Sequence, residues 1–425
     1  MMNIKVLHIA TDTTGGAGCA MLRLHYALLN GGIDSKVLIR DATTEKSNSI
    51  YRINTYYPKG FWNATKIGRF IRRILRKLDI YISKRDFILN QRKTIDRNVC
   101  FTLPISEYKV HLHSLIDWAD IIHLHWIQDF IDFPTFFANV HKPILWTCHD
   151  LNPMMGGFHH IRLRTQYIHQ WGKIEQACYD IKNVALKKCK NLSVVALSSE
   201  MHQMLKNHEF FMSRNIYDIA NCVDTDVFNL KDKQHVRAKY NIPINAYILL
   251  FANGNLNNTE KGLQELIEAL EILYDMDFTL MCVGNGIIPK SNLSVIHLPR
   301  VTNQYEMAEM YQIADMLVMP SHQEAFALTP LEAMSCGKPV VITPVSGAKD
   351  LMRDFAGEIS TDFTSHSLAN AVRKAMDKKY NDQQIRNYII NNYHPNIIGK
   401  KYIDVYKKIL MTCNGETLNH NNQLQ

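Results

Sequence analysis

The sequence predicts an α/β protein that contains two successive doubly wound domains. Its 425 residues exceed what one compact core accommodates, so two domains are the default expectation. Short apolar runs alternate with longer segments of helical periodicity, a pattern typical of βα units and parallel sheets. A polar stretch that is poor in strand signals, Asp224–Asn245, separates two series of such units.

Eleven apolar runs are the strand candidates. Six precede the polar stretch: Lys5–Ala10, Lys36–Ile39, Ile121–His125, Ile144–Cys148, Ser193–Leu197 and Tyr217–Ala220. Five follow it: Ile248–Phe251, Thr279–Val283, Val295–Leu298, Met316–Met319 and Val340–Thr343. We expect an N-terminal domain over residues 1–226 and a second domain over 227–397, with a last helix at 398–411 that packs back on the first domain. The polar tail, 412–425, is expected to be disordered.

The composition is that of an ordinary globular protein, with 46% hydrophobic and 21% charged residues and a net charge of +8. The nine cysteines are scattered and form no CxxC pair, which favours small buried hydrophobes in a reducing compartment over disulfides or a zinc site. No apolar stretch approaches the ~18 residues that span a membrane. Because Met1–Ala10 also lacks a basic leader and a cleavage site, we expect a cytoplasmic protein whose membrane contact is at most peripheral.

One segment interrupts the alternation of strands and helices. Lys66–Leu78 places apolar side chains at helical spacing and fills the other positions with lysine and arginine. A basic amphipathic helix of this kind can lie on an anionic membrane surface. The alternative is a helix that packs on the domain and exposes its basic side to solvent.

The most informative segment is Met319–Gly337, in which Glu324 and Glu332 lie eight residues apart. Thr329 and Pro330 suit the cap and first position of a helix, so Glu332 can complete a capping box with a purely structural role. The start of that helix would also expose backbone N–H groups, which form a ready phosphate site.

This segment resembles the E-x7-E motif of the retaining GT-B glycosyltransferases of family four, the glycosyl transferases group 1. The resemblance implies a GT-B fold, two Rossmann-like domains that face a central cleft. In the family, the first glutamate contacts the donor sugar and the second the nucleotide ribose, and these roles fall here to Glu324 and Glu332. Donor-binding positions between the two glutamates are Phe326, Ala327, Leu328 and Thr329.

A glycine loop at Gly15 and Gly16 follows the first strand and resembles the family's N-terminal loop near the donor phosphates and sugar. A dinucleotide fingerprint is disfavoured because Met21 replaces the third glycine and the second strand ends at Arg40 instead of an acidic residue. His149, at the end of a strand, resembles the family histidine that contacts the donor sugar.

Three further positions are candidates for the acceptor side: His125, Gly157 and His159. The last two belong to a glycine-histidine stretch that matches polysaccharide-building members of the family. His123 and His125 share one strand face, a spacing that a metal could use. No third ligand is identifiable, so core or acceptor-lining histidines are favoured and no metal site is predicted.

In the second domain, Lys261 with Gly262 resembles the family's Lys-Gly step, whose lysine neutralises the diphosphate. The family commonly has an arginine shortly before this lysine, where the present chain has Asn253, Gly254 and Asn255. Arg300 is a candidate to supply part of that charge.

The resemblance covers about residues 3–411 and implies a metal-independent transfer, without a cofactor, from a nucleotide diphosphate sugar to a saccharide or lipid-linked acceptor. Polysaccharide or lipopolysaccharide assembly is the expected context, and nucleic acid is not an expected partner. A sugar-nucleotide epimerase of similar shape and a non-catalytic nucleotide-sugar-binding protein stay open as alternatives.

Overall fold

The computed structural model describes residues 4–41, 47–53, 66–77, 83–96 and 99–421. The chain divides into two compact units. The first comprises residues 1–196, 202–218 and 400–425, and the second comprises residues 197–201 and 219–399.

The first unit contains a parallel sheet of seven strands in the order β3-β2-β1-β4-β5-β6-β7. The strands are β1 (Lys5–Ala10), β2 (Asp34–Ile39), β3 (Ile50–Arg52), β4 (Ile121–Leu124), β5 (Ile144–Thr147), β6 (Leu192–Ala196) and β7 (Ile216–Asp218). The central strands β4, β5 and β6 are buried along their whole length, because helices cover both faces of a doubly wound sheet.

The second unit contains a parallel sheet of six strands in the order β10-β9-β8-β11-β12-β13. The strands are β8 (Ile248–Asn255), β9 (Thr279–Asn285), β10 (Val295–Leu298), β11 (Met316–Met319), β12 (Val340–Ile342) and β13 (Gly357–Ile359). One set of side chains, including Leu249, Leu266, Leu280 and Val318, packs into a single buried core.

The helices connect these strands. In chain order they are α1 (Gly15–Asn30), α2 (Lys66–Lys77), α3 (Lys84–Gln91), α4 (Ser114–Trp118), α5 (Phe133–Asn139), α6 (Ile161–Lys188), α7 (Ser199–Lys206), α8 (Lys233–Lys239), α9 (Leu263–Glu271), α10 (Gln304–Ile313), α11 (Leu328–Ser335), α12 (Ser346–Lys349), α13 (Ser365–Met376), α14 (Asp382–Tyr393) and α15 (Pro395–Asn421).

The predicted α/β class with two doubly wound sheets is confirmed, and each of the eleven strand candidates corresponds to a strand. The sequence did not indicate β3 and β13, two three-residue edge strands whose sequences are too short to show a period. Strand β8 extends to Asn255, past an irregularity after Ala252, so Asn253–Asn255 belong to the strand and not to the loop that the sequence predicted.

Two helices test the sequence predictions for the basic segment and for the C-terminal tail. Residues Lys66–Lys77 of the basic segment form α2, as predicted, and Leu78 lies outside the described residues. Helix α15 continues to Asn421, through part of the tail that the sequence predicted to be disordered. Its residues from Lys400 onward belong to the first unit, where the Tyr402 and Tyr406 side chains are buried.

Candidate functional site

In each sheet, one pair of neighbouring strands marks the point where the strand order reverses. These pairs are β8 and β11 in the second unit and β1 and β4 in the first. At such a switch point the loops after the two strands diverge to opposite faces and leave a crevice at the carboxyl edge, where ligands bind. The predicted site residues, except Arg300, follow these strands or their neighbours.

Lys261 and Glu324 meet at the switch point of the second unit. The Lys261 Nζ lies 2.6 Å from Glu324 Oε1, and both side chains are partly exposed. Gly262 has φ +73°, and a Cβ there would lie 2.1 Å from the carbonyl oxygen of Pro320. Only glycine therefore lets the loop after β8 pack against the chain that leads to Glu324.

The lysine ammonium has three N–H donors, so it can hold the Glu324 carboxylate and still donate to a ligand oxygen. The pair thus places one cationic and one anionic group side by side at the crevice. The cation suits a phosphate, and the carboxylate suits hydroxyl groups.

Glu332 is not the capping residue that the sequence predicted. Helix α11 begins at Leu328 after Ala327, without a side-chain cap, and the hydroxyl of Thr329 instead donates to the sulfur of Met319. The capping-box prediction was wrong because the helix starts one residue before Thr329. Glu332 is 8% exposed and accepts a 2.8 Å hydrogen bond from the Tyr311 hydroxyl, which orients its carboxylate.

The start of α11 packs against a second glycine that sequence reasoning missed. A Cβ on Gly347, in α12, would lie 2.4 Å from the carbonyl carbon of Ala325 and 2.7 Å from the nitrogen of Phe326. Phe326 and Ala327 are buried, whereas Leu328 and Thr329 are partly exposed. The glycine fixes the backbone just before the first turn of α11, whose N–H groups can receive an anion.

Arg300 follows β10, two strands away from β8. Its backbone N–H donates to Asn285 Oδ1 at 3.0 Å. Its guanidinium lies over Gly254, with the Nε atom 3.3 Å from the position that a Cβ on Gly254 would take. The arginine therefore covers the end of β8 at Gly254.

In the first unit, Gly15 and Gly16 begin α1 directly after the β1 loop. Gly15 has φ +66°. Gly18, in the first turn, is more constrained, because a Cβ there would lie 2.4 Å from the carbonyl carbon of Thr13. The glycine loop thus turns sharply into the helix at the β1 side of the switch point.

His125 and His149 follow the neighbouring strands β4 and β5, and their rings are hydrogen-bonded. The distance between His125 Nδ1 and His149 Nε2 is 3.0 Å, and the rings are stacked. His125 also bonds to His8 of β1, at 2.8 Å between His125 Nε2 and His8 Nδ1. Sequence reasoning missed His8, although a histidine within the apolar run of β1 was a usable signal.

His123 has a structural environment. Its Nδ1 is 2.7 Å from the Tyr406 hydroxyl and its Nε2 is 2.8 Å from the Thr147 hydroxyl. His8, His123 and His125 are close enough for one nitrogen of each to lie within 4.8 Å of the others. Five of their six ring nitrogens, however, are already in hydrogen bonds within the protein, which favours a hydrogen-bonded network over a metal centre.

His159, which is buried, forms an ion pair with the partly exposed Asp150. Its Nδ1 lies 2.5 Å from Asp150 Oδ2, and its Nε2 lies 2.5 Å from the hydroxyl of Thr102. Burial alone lowers the pKa of His159, but Asp150 and Cys100 more than offset this effect and raise it to about 10. Burial raises the pKa of Asp150, whereas His159 and the backbone N–H of Asn152 lower it by more, so the carboxyl group stays ionised.

Gly157 and its neighbour Gly156 form a rigid loop between β5 and α6. The Glu175 carboxylate accepts hydrogen bonds from the N–H groups of Gly156 and Gly157 at 2.9 and 2.6 Å. A Cβ on Gly157 would lie 2.2 Å from ring atoms of Phe101. The nearby Lys182 ammonium donates to the backbone carbonyl of Asn152, so this loop is held by two buried charges.

Within each unit, the structure brings predicted residues together. His125 and His149 are in contact in the first unit, with His159 linked to the residue after His149, and Lys261 contacts Glu324 in the second. The other donor-side candidates of the second unit stand on separate elements, since Arg300 follows β10 and Glu332 lies within α11.

Helix α2 exposes the apolar side chains of Ile67, Phe70, Ile71 and Ile74. Among the described residues, none of the helices combines the length and the apolar character required to cross a bilayer.

Comparison with known proteins relates part of the chain to a family of glycosyltransferases. Residues 232–392 match the family described as glycosyl transferases group 1. A D-inositol 3-phosphate glycosyltransferase of Arthrobacter sp. (strain FB24) is 35% identical over 141 residues, which are 29% of this chain and 33% of that protein. The chain thus spans about a third of the length of this curated relative.

Two solved structures resemble almost the whole chain. Sucrose-phosphate synthase from Thermosynechococcus elongatus has a TM-score of 0.67 at 16% identity and covers 96% of this chain and 100% of its own. Anabaena Alr3699/HepE in complex with UDP-glucose has a TM-score of 0.58 at 14% identity and covers 95% of this chain and 100% of its own. These likenesses confirm the predicted GT-B fold class. The family match confirms, for residues 232–392, the resemblance that the E-x7-E segment indicated.

Proposed function

We propose, from the match of residues 232–392 to the glycosyl transferases group 1, that the chain transfers a sugar from a nucleotide diphosphate sugar to a saccharide or lipid-linked acceptor. The transfer would retain the anomeric configuration and require no metal. The observation that carries the proposal is the Lys261–Glu324 pair at the switch point of the second sheet. An adjacent cation and carboxylate match the two parts of such a donor, its diphosphate and its sugar hydroxyls.

The second unit would contribute to catalysis electrostatically, by stabilising the charge of the leaving diphosphate. When the bond between the anomeric carbon and the diphosphate breaks, negative charge grows on the leaving phosphate oxygen. Lys261, the first N–H groups of α11 and Arg300 would stabilise that charge, and fixed donors need no reorganisation during the step. Glu332, oriented by Tyr311, would bind the ribose hydroxyls.

Glu324 and His149 would orient the donor sugar. In a single displacement that retains configuration, the acceptor hydroxyl would attack from the side that the diphosphate leaves, and its proton would pass to the departing phosphate. On the acceptor side, His125, His159 and Gly157 belong to a rigid, buried arrangement.

Uridine diphosphate is the first nucleotide to test, because Anabaena Alr3699/HepE was solved with UDP-glucose. Calorimetric titration with UDP, GDP and ADP should show selective binding of one of them. Lys261→Ala and Glu332→Gln should each weaken that binding by about tenfold or more, equivalent to ~1.4 kcal/mol. The glutamine keeps an acceptor for Tyr311 and removes only the charge.

Lys379→Ala is the matched control, since this lysine is exposed after α13 in the same unit. It should bind nucleotide like the wild type. Equal losses in Lys379→Ala and Lys261→Ala, or no binding of any nucleotide, would refute the proposed donor site.

Measuring turnover of the nucleotide sugar distinguishes a transferase from an epimerase and from a binding protein. A transferase releases the nucleoside diphosphate only when acceptor is present, whereas an epimerase changes the sugar without releasing the nucleotide and a binding protein does neither. Turnover that survives EDTA, and an α-linked product from an α-linked donor by NMR, are the expected results for metal-independent retention. Loss of turnover with EDTA, restored by a divalent cation, would contradict the metal-independent part.

The acceptor context proposed is cell-surface polysaccharide assembly at the cytoplasmic face of a membrane. It rests on the glycine-histidine stretch at 156–160 and on α2, whose sequence is strongly basic and whose Ile67 and Phe70 side chains are exposed. Exposed apolar groups beside lysine and arginine suit the headgroup region of an anionic bilayer.

Flotation with vesicles that contain phosphatidylglycerol tests this part. The triple change Arg72/Arg73/Arg76→Glu, and separately Ile67/Phe70→Ser, should each release the protein from the vesicles. Equal flotation of wild type and both variants would show that α2 does not bind the membrane, without affecting the donor site.

A further inference from the structure

Three histidines form a hydrogen-bonded file through the centre of the first sheet. His8 lies on β1, His125 follows β4 and His149 follows β5, and these three strands are neighbours. His8 Nδ1 bonds to His125 Nε2 at 2.8 Å, and His125 Nδ1 bonds to His149 Nε2 at 3.0 Å. His8 and His125 are fully buried, while His149 is partly exposed.

The file couples the tautomers of its three members. Burial lowers the pKa of each imidazole, so all three are neutral near neutral pH. A neutral imidazole carries one N–H, and each bond of the file needs one donor and one acceptor. The direction of either bond therefore fixes the direction of the other and the tautomer of all three rings.

The buried end of the file indicates the direction. His8 Nε2 is buried without a hydrogen-bond partner in the part of the chain that the structure describes. Buried N–H groups without an acceptor are rarer than acceptors that lack a donor. His8 Nε2 is therefore assigned the lone pair, so that the Nδ1–H of His8 donates to His125 and the Nδ1–H of His125 donates to His149.

We propose that His8 and His125 are positioning residues that hold His149 as its Nδ1–H tautomer, so that His149 presents an N–H donor to an oxygen of the donor sugar or its phosphate. This role rests on the proposed function, in which His149 contacts the donor. No bond in the described residues occupies the Nδ1 atom of His149, whose Nε2 already accepts from His125. The opposite direction would leave His149 Nδ1 as an acceptor, which an anionic oxygen repels.

Neutral rings flank the file, and among the described residues no charged side chain hydrogen-bonds to it. The His8 ring lies beside those of His25 and His123, with centroids 5.9 and 5.0 Å away. His25 bonds to the hydroxyls of Ser35 and Ser49, so it stands outside the file while lying next to it. His25 is thus a matched control, a buried histidine of the same sheet region that does not donate to the file.

The first test determines the tautomer of His149 by NMR, in the full chain labelled with ¹⁵N-histidine. Long-range ¹H–¹⁵N correlation distinguishes a protonated ring nitrogen from a bare one, and His149→Gln identifies the His149 signals. The expected result is a protonated Nδ1 and a bare Nε2 on His149. A protonated Nε2 on His149 would overturn the proposal, whether or not the protein transfers sugar.

The second test separates positioning from structural support. His8→Leu removes the donor to His125, whereas His8→Asn keeps an amide N–H near the position of Nδ1. We expect His8→Leu to lower kcat about tenfold with little change in the donor KM, a loss typical of removing the group that orients a functional histidine. His8→Asn should recover most of that loss and preserve the His149 tautomer.

His25→Leu provides the comparison, because it should destabilise the first unit while leaving the His149 tautomer and kcat near wild type. Equal kcat for His8→Leu and wild type, or equal losses in His8→Leu and His25→Leu, would overturn the proposal. If the wild type shows no transfer, the proposed function fails, and the tautomer measurement still decides whether the file acts on His149.

Discussion

Replacing His159 should remove the alkaline pH dependence that this residue itself adds to the stability of the first unit. His159 is 2% exposed and pairs with Asp150, and its pKa is raised to about 10. The change to test is His159→Asn, which keeps an amide N–H near the position of Nδ1 but carries no charge. In the alkaline range the folded unit holds a proton on His159 that the unfolded chain releases.

The size of the effect follows from linkage. The pKa of histidine in an unfolded chain is about 6.5. A folded-state value of about 10 therefore gives stability that is fully present below pH ~6.5 and is lost as the pH rises toward 10. Between pH 6.5 and pH 9 the loss is about 3 kcal/mol. Asp150, whose pKa is lowered, stays ionised across this range and adds no slope of its own.

The assay uses tryptophan fluorescence during urea unfolding. The tryptophans that the structure describes, Trp118, Trp126, Trp146 and Trp171, all lie in the first unit, so their signal reports that unit. The free energy of unfolding is measured at pH 6.5 and pH 9 for wild type and for His159→Asn. The advantage of wild type over the variant should shrink by about 3 kcal/mol between the two pH values.

His202→Asn is the control, because His202 also bonds to an aspartate, Asp218, but His202 is partly exposed and Asp218 is exposed. Solvent screens such a pair, so its replacement should change the slope little. A wild-type advantage over His159→Asn that stays constant from pH 6.5 to pH 9 would refute a buried charged pair. An equal change of the wild-type advantage between pH 6.5 and pH 9 in both variants would refute the inference that burial of His159 causes the pH dependence.

Two further changes test backbone and network constraints. Gly262→Ala should weaken nucleotide binding at least tenfold in calorimetry, because its Cβ would meet the Pro320 carbonyl oxygen at 2.1 Å. The control is Gly32→Ala, at a glycine with a similar φ of +79° and no atom near the added Cβ, which should only lower the free energy of unfolding by ~1–2 kcal/mol. Tyr406→Phe should destabilise the first unit by about 1–3 kcal/mol in urea unfolding, because it leaves the buried His123 Nδ1 without its partner, and an unchanged midpoint would contradict that role.

The sequence predicted the central strands because each is buried on both sides and so forms a continuous apolar run. Met316–Met319, for instance, is buried at every position and has the same bounds in the sequence prediction and in the structure. The edge strand Ile50–Arg52 escaped prediction because pairing along one side only imposes no apolar pattern on three residues.

Site residues that belong to a short sequence motif could be predicted, whereas contacts between residues far apart in the sequence could not. The spacing of Glu324 and Glu332 is local, and both were found. The contact between Lys261 and Glu324 joins residues 63 positions apart, and the bond between His8 and His125 joins residues 117 apart. Such contacts depend on strand order, which a single sequence does not show.

The two groups of site residues differ in how their energies respond to salt. Lys261 and Glu324 are partly exposed charges, so salt should screen their attraction for a diphosphate. His125 belongs to a buried network of neutral rings, which a rise in ionic strength leaves almost unchanged. Raising salt from about 0.05 M to about 0.5 M should therefore weaken nucleotide binding while the tautomer of His149 persists. A parallel loss of both would mean that the histidine file depends on charges outside it, although among the described residues no charged side chain hydrogen-bonds to it.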